Sequence, residues 1–404
     1  MSAVVAVPPR GPFREMWLIT LGHALTHWYP ATFYMLMPLI GAELGLSYSQ
    51  IGLIMTCQYI AGAIANIPGG VLVDTVGRKG VLMATSLFWV GFPYLLMGFA
   101  HSYLMLLGCV ALVGFGNSLW HPTAIPTLAR RFPDRKGLVL SVHGMGGNVG
   151  DAVAPYVVGT LLTVLTWRQV VVLNVAPGIV IALLILVFLG TLQLGGRKQT
   201  LGDGTQSLRD YFRGLRELVR NRSLMVLSAS SAFRSLTQSA LLTFLPIYLA
   251  RQLGYDSHAV GASLSALQIA GLAASPVAGH LSDRMGRRSV ITTSMVMTAV
   301  VLVFMALASN SSAFVFFVAL LGFFLYAIRP VLQAWLLEAT PKNMGGTSIG
   351  VLFGAQALGS AAGPLLGGVV ADYYGLSATF AFLAVTIVIA NLFIFFMPRT
   401  ETRG

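Results

Sequence analysis

The sequence predicts an all-α integral membrane protein, with twelve transmembrane helices arranged as two pseudo-symmetric six-helix bundles. Three observations carry that expectation. Apolar residues make up 56 % of the 404 and charged residues only 9 %, with a mean hydropathy of +0.79, far from the roughly 25 % charged content of soluble domains. About twelve apolar runs are each long enough to cross a hydrocarbon core of roughly 30 Å. The third observation is a repeat. Gly70-Val71-Leu72-Val73-Asp74-Thr75-Val76-Gly77-Arg78-Lys79 returns half a chain later as Gly279-His280-Leu281-Ser282-Asp283-Arg284-Met285-Gly286-Arg287-Arg288. Both fit G-x-L-x-D-x-x-G-R-[KR] and both join two apolar runs, so the chain is read as a duplication.

In chain order, helix one is expected over 16–42, helix two over 50–73, helix three over 81–99 and helix four over 103–129. Helices five and six follow over 138–165 and 169–189. The second half repeats the pattern over 224–250, 259–282, 290–308, 313–337, 347–371 and 378–397. His121-Pro122 in helix four has its counterpart in Arg329-Pro330 of helix ten, and Pro155 in Pro364. The chain therefore divides into an N-terminal bundle (1–192), a linker (193–222) and a C-terminal bundle (223–404). Gly and polar residues mark 193–206 as a connection. Over Ser207 to Arg222, Leu208, Phe212, Leu215 and Val219 form one helical stripe and Arg209, Arg213, Arg216 and Arg220 another, as in a helix lying on a membrane surface. It reads as a tether against anionic lipid or as a regulatory element.

The formal net charge of +12 suggests nucleic acid only in a soluble chain. Here most Lys and Arg fall in alternate connections and the termini, whereas Arg168 and Arg251 fall on the opposite side. The positive-inside rule then places both termini in the cytoplasm; the protein is expected in the cytoplasmic (inner) membrane, with no nucleic-acid partner. The first residues lack a signal-peptide pattern. Cys57 and Cys109 sit in apolar runs and imply no disulfide framework.

In the repeated loops, Asp74 and Asp283 are placed to accept hydrogen bonds at a helix terminus or to pair with Arg78 and Arg287. Gly77 and Gly286 are expected to allow the tight turn, and Gly70 and Gly279 close helix approach. Together with Lys79 and Arg288 these residues concern gating rather than substrate choice.

Ionisable groups inside membrane helices are costly, which makes each a candidate functional residue. Thr20, His23, His27 and Tyr34 share a stripe on helix one, and Asn117 and His121 lie one turn apart on helix four. Gly144, Gly147, Asn148, Asp151 and Pro155 share a face of helix five. Ser231, Arg234 and Gln238 align on helix seven, and Tyr326, Arg329 and Gln333 on helix ten. Five helices presenting polar faces to one interior imply a water-filled cavity. Asp151 lies roughly 20 Å into helix five and must take up a proton or pair with Arg234 or Arg329. Arg234 keeps its charge and needs an anion from the protein or a substrate, while Arg329 is free to bind substrate, snorkel or pair with Glu338. His23 and His27 read as a proton relay or as neutral hydrogen-bonding residues. Their spacing also suits a metal, but no third ligand is apparent and no metal is expected.

The repeated decapeptide resembles the signature loop of the major facilitator superfamily, in which that loop is taken to hold the outward-open state. The stretch Gly114-Phe115-Gly116-Asn117-Ser118-Leu119-Trp120-His121-Pro122, with Gly146-Gly147-Asn148-Val149-Gly150 and His23, is similar to the fosmidomycin-resistance branch. That resemblance implies a proton-driven exporter, and the branch's drug is a small phosphonate. The chain departs from the branch at Thr123, His27 and Asp151, so coupling is expected to follow its own route. The antiporter pattern G-x8-G-x3-G-P-x2-G-G is degenerate in helix five and complete in helix eleven, at Gly350, Gly359, Gly363, Pro364, Gly367 and Gly368.

The expected function is secondary active transport: proton-coupled export of a small organic anion or anionic drug by alternating access, in a monomer bathed in lipid. No cofactor is expected, the proton gradient being the energy source. Import of an organic anion is the alternative, ahead of a general exporter of lipophilic cations or a membrane-embedded hydrolase. For a hydrolase, no nucleophile elbow or metal motif is present.

Overall fold

A computed structural model describes residues 12–191, 220–307, 314–340 and 345–397. The helices are α1 (Pro12–Glu43), α2 (Tyr48–Thr75), α3 (Lys79–Met97), α4 (Tyr103–Asn117), α5 (Trp120–Arg131), α6 (Lys136–Leu161), α7 (Trp167–Leu173), α8 (Val175–Leu189), α9 (Arg222–Arg251), α10 (Ser257–Met285), α11 (Arg287–Leu307), α12 (Phe314–Glu338), α13 (Gly345–Tyr374) and α14 (Ala378–Phe395). Eight spans among the described residues are long and apolar enough to cross a membrane on length and composition alone, with α4 and α5 counted as one span and α7 and α8 as another. The other four, α1, α2, α6 and α9, run 26 to 32 residues, or about 39 Å and more at the helical rise. Twelve crossings result. The expected linker and surface helix fall almost wholly on 192–219, outside the described residues.

Two crossings that the apolar pattern reads as continuous are broken, each upstream of a proline. Pro122 has no N–H to give the carbonyl of Ser118, and the chain turns at Ser118 and Leu119. Pro177 likewise leaves Leu173 unbonded. There Asn174 secures the break by donating its side-chain amide to Val170 O (2.8 Å) and accepting from Trp28 Nε1 (2.5 Å). Several helices at the opposite end from the repeated loops start on side-chain caps: Ser47 on α2, Ser102 on α4, Thr166 on α7 and Asp256 on α10.

The duplication is visible in the packing. α1 packs on α6 as α9 packs on α13, α2 on α4 as α10 on α12, and α3 on α8 as α11 on α14. Across the two halves α2 meets α13 and α6 meets α10, and glycine makes these contacts backbone-close. A Cβ on Gly52 would stand 2.1 Å from Pro364 O, on Gly368 2.4 Å from Tyr48 O, on Gly261 2.2 Å from Pro155 O and on Gly159 2.4 Å from Ser257 O. Polar contacts reinforce this seal: Thr56 Oγ1 donates to Ala361 O (2.6 Å), and Asp372 accepts the N–H groups of Tyr48 (2.8 Å) and Ser49 (2.9 Å) at the start of α2. Towards the repeated loops no glycine contact of this kind joins the halves among the described residues. Gly144 on α6, Gly279 on α10 and Gly350 and Gly354 on α13 have open space where a Cβ would go. The glycine and hydrogen-bond contacts between the halves therefore lie towards the end away from the repeated loops.

Those loops correct two expectations. Gly279 faces open space and brings no helix close, while the side chains around Gly70 and Asp74 lie outside the described part of the structure. Gly286 does turn the chain in the left-handed region, at φ +86°, whereas Gly77 does not enter that region. Glu338 is taken by Arg287 (2.9 Å), which also pairs with Asp283 (2.6 Å), so it is not Arg329's partner. The reason is position: Glu338 ends α12 beside the start of α11, two and a half turns beyond Arg329. In the first loop Lys79 Nζ donates to the carbonyls of Val76 (3.0 Å) and Val73, closing the end of α2, and Arg78 is exposed.

Candidate functional site

The polar cluster of the N-terminal half exists because α6 presents glycine to α1. A Cβ on Gly146 would lie 2.5 Å from Thr20 O and one on Gly150 2.1 Å from Ala24 O; Gly147 lies against the rings of His23 and His27. The two backbones therefore touch, and the helix-one histidines fold over α6. His23 donates from Nδ1 to the carbonyl of His143 (2.6 Å) and meets His121 Nε2 through its own Nε2 (3.1 Å). Its ring stacks on that of His143, with centroids 4.0 Å apart. His27 donates from Nδ1 to Asp151 Oδ2 (2.8 Å). His23 is buried, His27 and Asp151 half-buried, and His121 exposed to the interior opening.

Asp151 therefore has a partner that the sequence does not suggest. The expected pairing with Arg234 or Arg329 is absent among the described residues, because Asp151 lies along the α1 contact while both arginines stand on the other half. Tyr34 Oη bonds Tyr59 Oη of α2 (2.7 Å), a partner hidden in a largely apolar run. Asn117 Oδ1 is buried without a hydrogen-bond partner, and Asn148 is exposed.

Arg234 is the dominant feature of the second half. It is 3 % exposed, and its partners are neutral: Gln238 Oε1 (2.7 Å) and Ser235 Oγ (3.0 Å), with Nε unpartnered. Tyr326 Oη is buried without a hydrogen-bond partner. Gln356 Nε2 donates to Ser231 Oγ (2.6 Å), a contact between α13 and α9 that helical periodicity does not reveal. Neither arginine pairs with a carboxylate among the described residues. A separate apolar groove of about 640 Å³, lined by Leu21, Trp28, Val149 and Val153, opens between α1, α6 and α8 and suits a lipid chain.

Two like-built six-helix halves with polar faces turned to a shared interior are the architecture of parallel-repeat membrane folds. The sequence profile of the Major Facilitator Superfamily matches residues 16–248 and again 227–404. The chain belongs to that superfamily and is an integral, multi-pass membrane protein. Among curated relatives it is 34 % identical over 166 residues to the multidrug resistance protein MdtG of Salmonella arizonae, and equally to those of Salmonella typhi and Citrobacter koseri. The match spans 40 % of this chain and about 41 % of the relatives' length. Solved structures share the fold at low identity. A bacterial homologue of the human lysosomal transporter Spinster, described as inward-facing and unoccupied, superposes with a TM-score of 0.82 at 17 % identity, covering 95 % of this chain and 96 % of that one. A mutant of the nucleoside transporter NupG gives 0.80 at 14 %, covering 95 % and 100 %.

Proposed function

We propose that this protein is a proton-coupled exporter of small organic anions, the observation that carries the reading being a buried Arg234 that pairs with no carboxylate among the described residues. A guanidinium stays charged and is costly to bury alone. Arg329 adds a second positive charge, so the C-terminal face of the cavity favours a carboxylate or phosphonate and disfavours a lipophilic cation. The name of the MdtG relatives supports drug efflux as the direction. The positive-inside rule puts the basic loops, both termini and the cavity mouth in the cytoplasm of an inner-membrane protein, where an exporter loads. One chain encloses the whole cavity, so a monomer suffices.

Proton exchange is assigned to the Asp151–His27 pair, the one carboxylate among the cavity groups described above, standing opposite the arginines. Asp151→Asn is expected to abolish substrate-driven proton movement in proteoliposomes while leaving anion binding detectable by calorimetry. Retention of coupled flux removes Asp151 from that role. Loss of both binding and thermal stability assigns it to structure instead.

A further inference from the structure

Three imidazoles converge in the N-terminal half, and the proton positions there are constrained by geometry. His23 Nδ1 lies 2.6 Å from a backbone carbonyl, which only accepts, so Nδ1 carries the proton and Nε2 the lone pair. His27 Nδ1 lies 2.8 Å from a carboxylate oxygen, leaving Nε2 as its free nitrogen. This is the outer-shell pattern of metal-binding histidines, in which the distal ring nitrogen donates to a carbonyl or carboxylate and the other ligates. One ring nitrogen each of His23, His27 and His121 lies within 4.8 Å of the others, and the His23 and His121 Nε2 atoms are already 3.1 Å apart. Two imidazole nitrogens on one tetrahedral zinc, at bonds of about 2.0–2.1 Å, stand about 3.3 Å apart.

We infer that His23, His27 and His121 form a three-nitrogen site for a divalent transition-metal ion of the zinc class, with Asp151 and the His143 carbonyl as positioning groups. In the metal-free arrangement the proton between His23 and His121 sits on His121 Nε2. On loading, His121 carries that proton on Nδ1 and the ion takes its place, while His27 closes in through Nε2. Gly147 leaves the room: a Cβ there would stand 2.8 Å from His23 Cε1 and 2.9 Å from His27 Nε2. An all-imidazole set suits zinc, nickel, cobalt or copper and not the oxygen-seeking magnesium or calcium. His121 borders the opening, so the fourth position is available to water or to an anionic group of a cargo. His143 stacks on His23 with both ring nitrogens unpartnered, a fourth imidazole held beside the three.

The test is titration of Zn²⁺ into tag-free, full-length protein in detergent against a chromophoric chelator, with Mg²⁺ as the control ion. One Zn²⁺ per chain and no Mg²⁺ is expected. Asp151→Asn should keep that stoichiometry and weaken affinity about 10–100-fold. His121→Ala and His27→Gln should weaken it further, and His101→Ala, on an exposed turn, should leave it unchanged. X-ray absorption of wild-type protein loaded with one equivalent should show a first shell containing three imidazole nitrogens at about 2.0–2.1 Å. Unaltered affinity in His121→Ala, or an oxygen-only shell in the wild type, overturns the site; the second result needs no variant to fold. The inference does not rest on the anion reading: histidine-dependent zinc binding without anion transport, and the reverse, each separate the two.

Discussion

Arg234→Gln is expected to weaken binding of an anionic substrate by roughly 2–5 kcal/mol, the range for removing one partner of a buried charge pair, which is about 30-fold or more in affinity. The same substitution should raise the thermal stability of the substrate-free protein. In the structure the guanidinium is held only by Gln238 and Ser235, its Nε is unpartnered, and no carboxylate pairs with it among the described residues. A buried charge so placed costs folding energy, and an amide in its place removes that cost. Affinity should therefore fall as stability rises, a combination that a structural arginine does not give. Calorimetry with a carboxylate or phosphonate and with a neutral analogue checks it, alongside a thermal melt. Equal losses for both ligands, or a lowered melting temperature, would mean that Arg234 supports the fold.

Gly261→Val is expected to prop the sealed end apart. A Cβ at 261 would stand 2.2 Å from Pro155 O and 3.2 Å from Gly159 Cα. Both are backbone atoms of α6 that no rotamer change can move. Overpacking of this kind costs about 1–3 kcal/mol, borne by the arrangement in which α6 and α10 touch and not by the opposite one. Transport should fall because the cycle stalls with the cavity facing the other way. A cysteine at Thr56, buried in the same seal against Ala361, reports the change once Cys57 and Cys109 are replaced. In the parent it should resist a membrane-impermeant thiol reagent added at the sealed end, and with Gly261→Val it should react. Unchanged labelling with intact transport would mean that the contact between α6 and α10 is not part of the cycle.

Much of this fold is legible in the sequence because membranes simplify the code. Apolar runs of 20 or more residues read as helices, since the other structure that satisfies the backbone in lipid, a closed barrel, is built from short alternating strands, and the repeated decapeptide announces the two halves. The breaks at Ser118 and Asn174 escape such a reading, for hydropathy does not register one lost hydrogen bond above a proline. Within the site, the polar stripes identify which helices face inward but not who meets whom. Asp151 pairs with His27 rather than an arginine because the glycines at 146, 147 and 150 fix how α1 lies on α6. His121 joins His23 across 98 residues of sequence, so a two-histidine stripe reads as incomplete until the fold supplies the third. Tyr59 is one of several hydroxyls in a largely apolar helix, and only its contact with Tyr34 marks it out. Asp372, which binds the start of α2 across the halves, looks from sequence like an ordinary end-of-helix acid.

The most direct measurement of the central claim uses purified protein in sealed liposomes with a trapped pH dye, challenged in turn with small phosphonates, carboxylates and lipophilic cations. Proton movement driven by the anions, silent with the cations and lost in Arg234→Gln, is the result the account predicts. Proton movement driven by the cations alone, undiminished in Arg234→Gln, would contradict it.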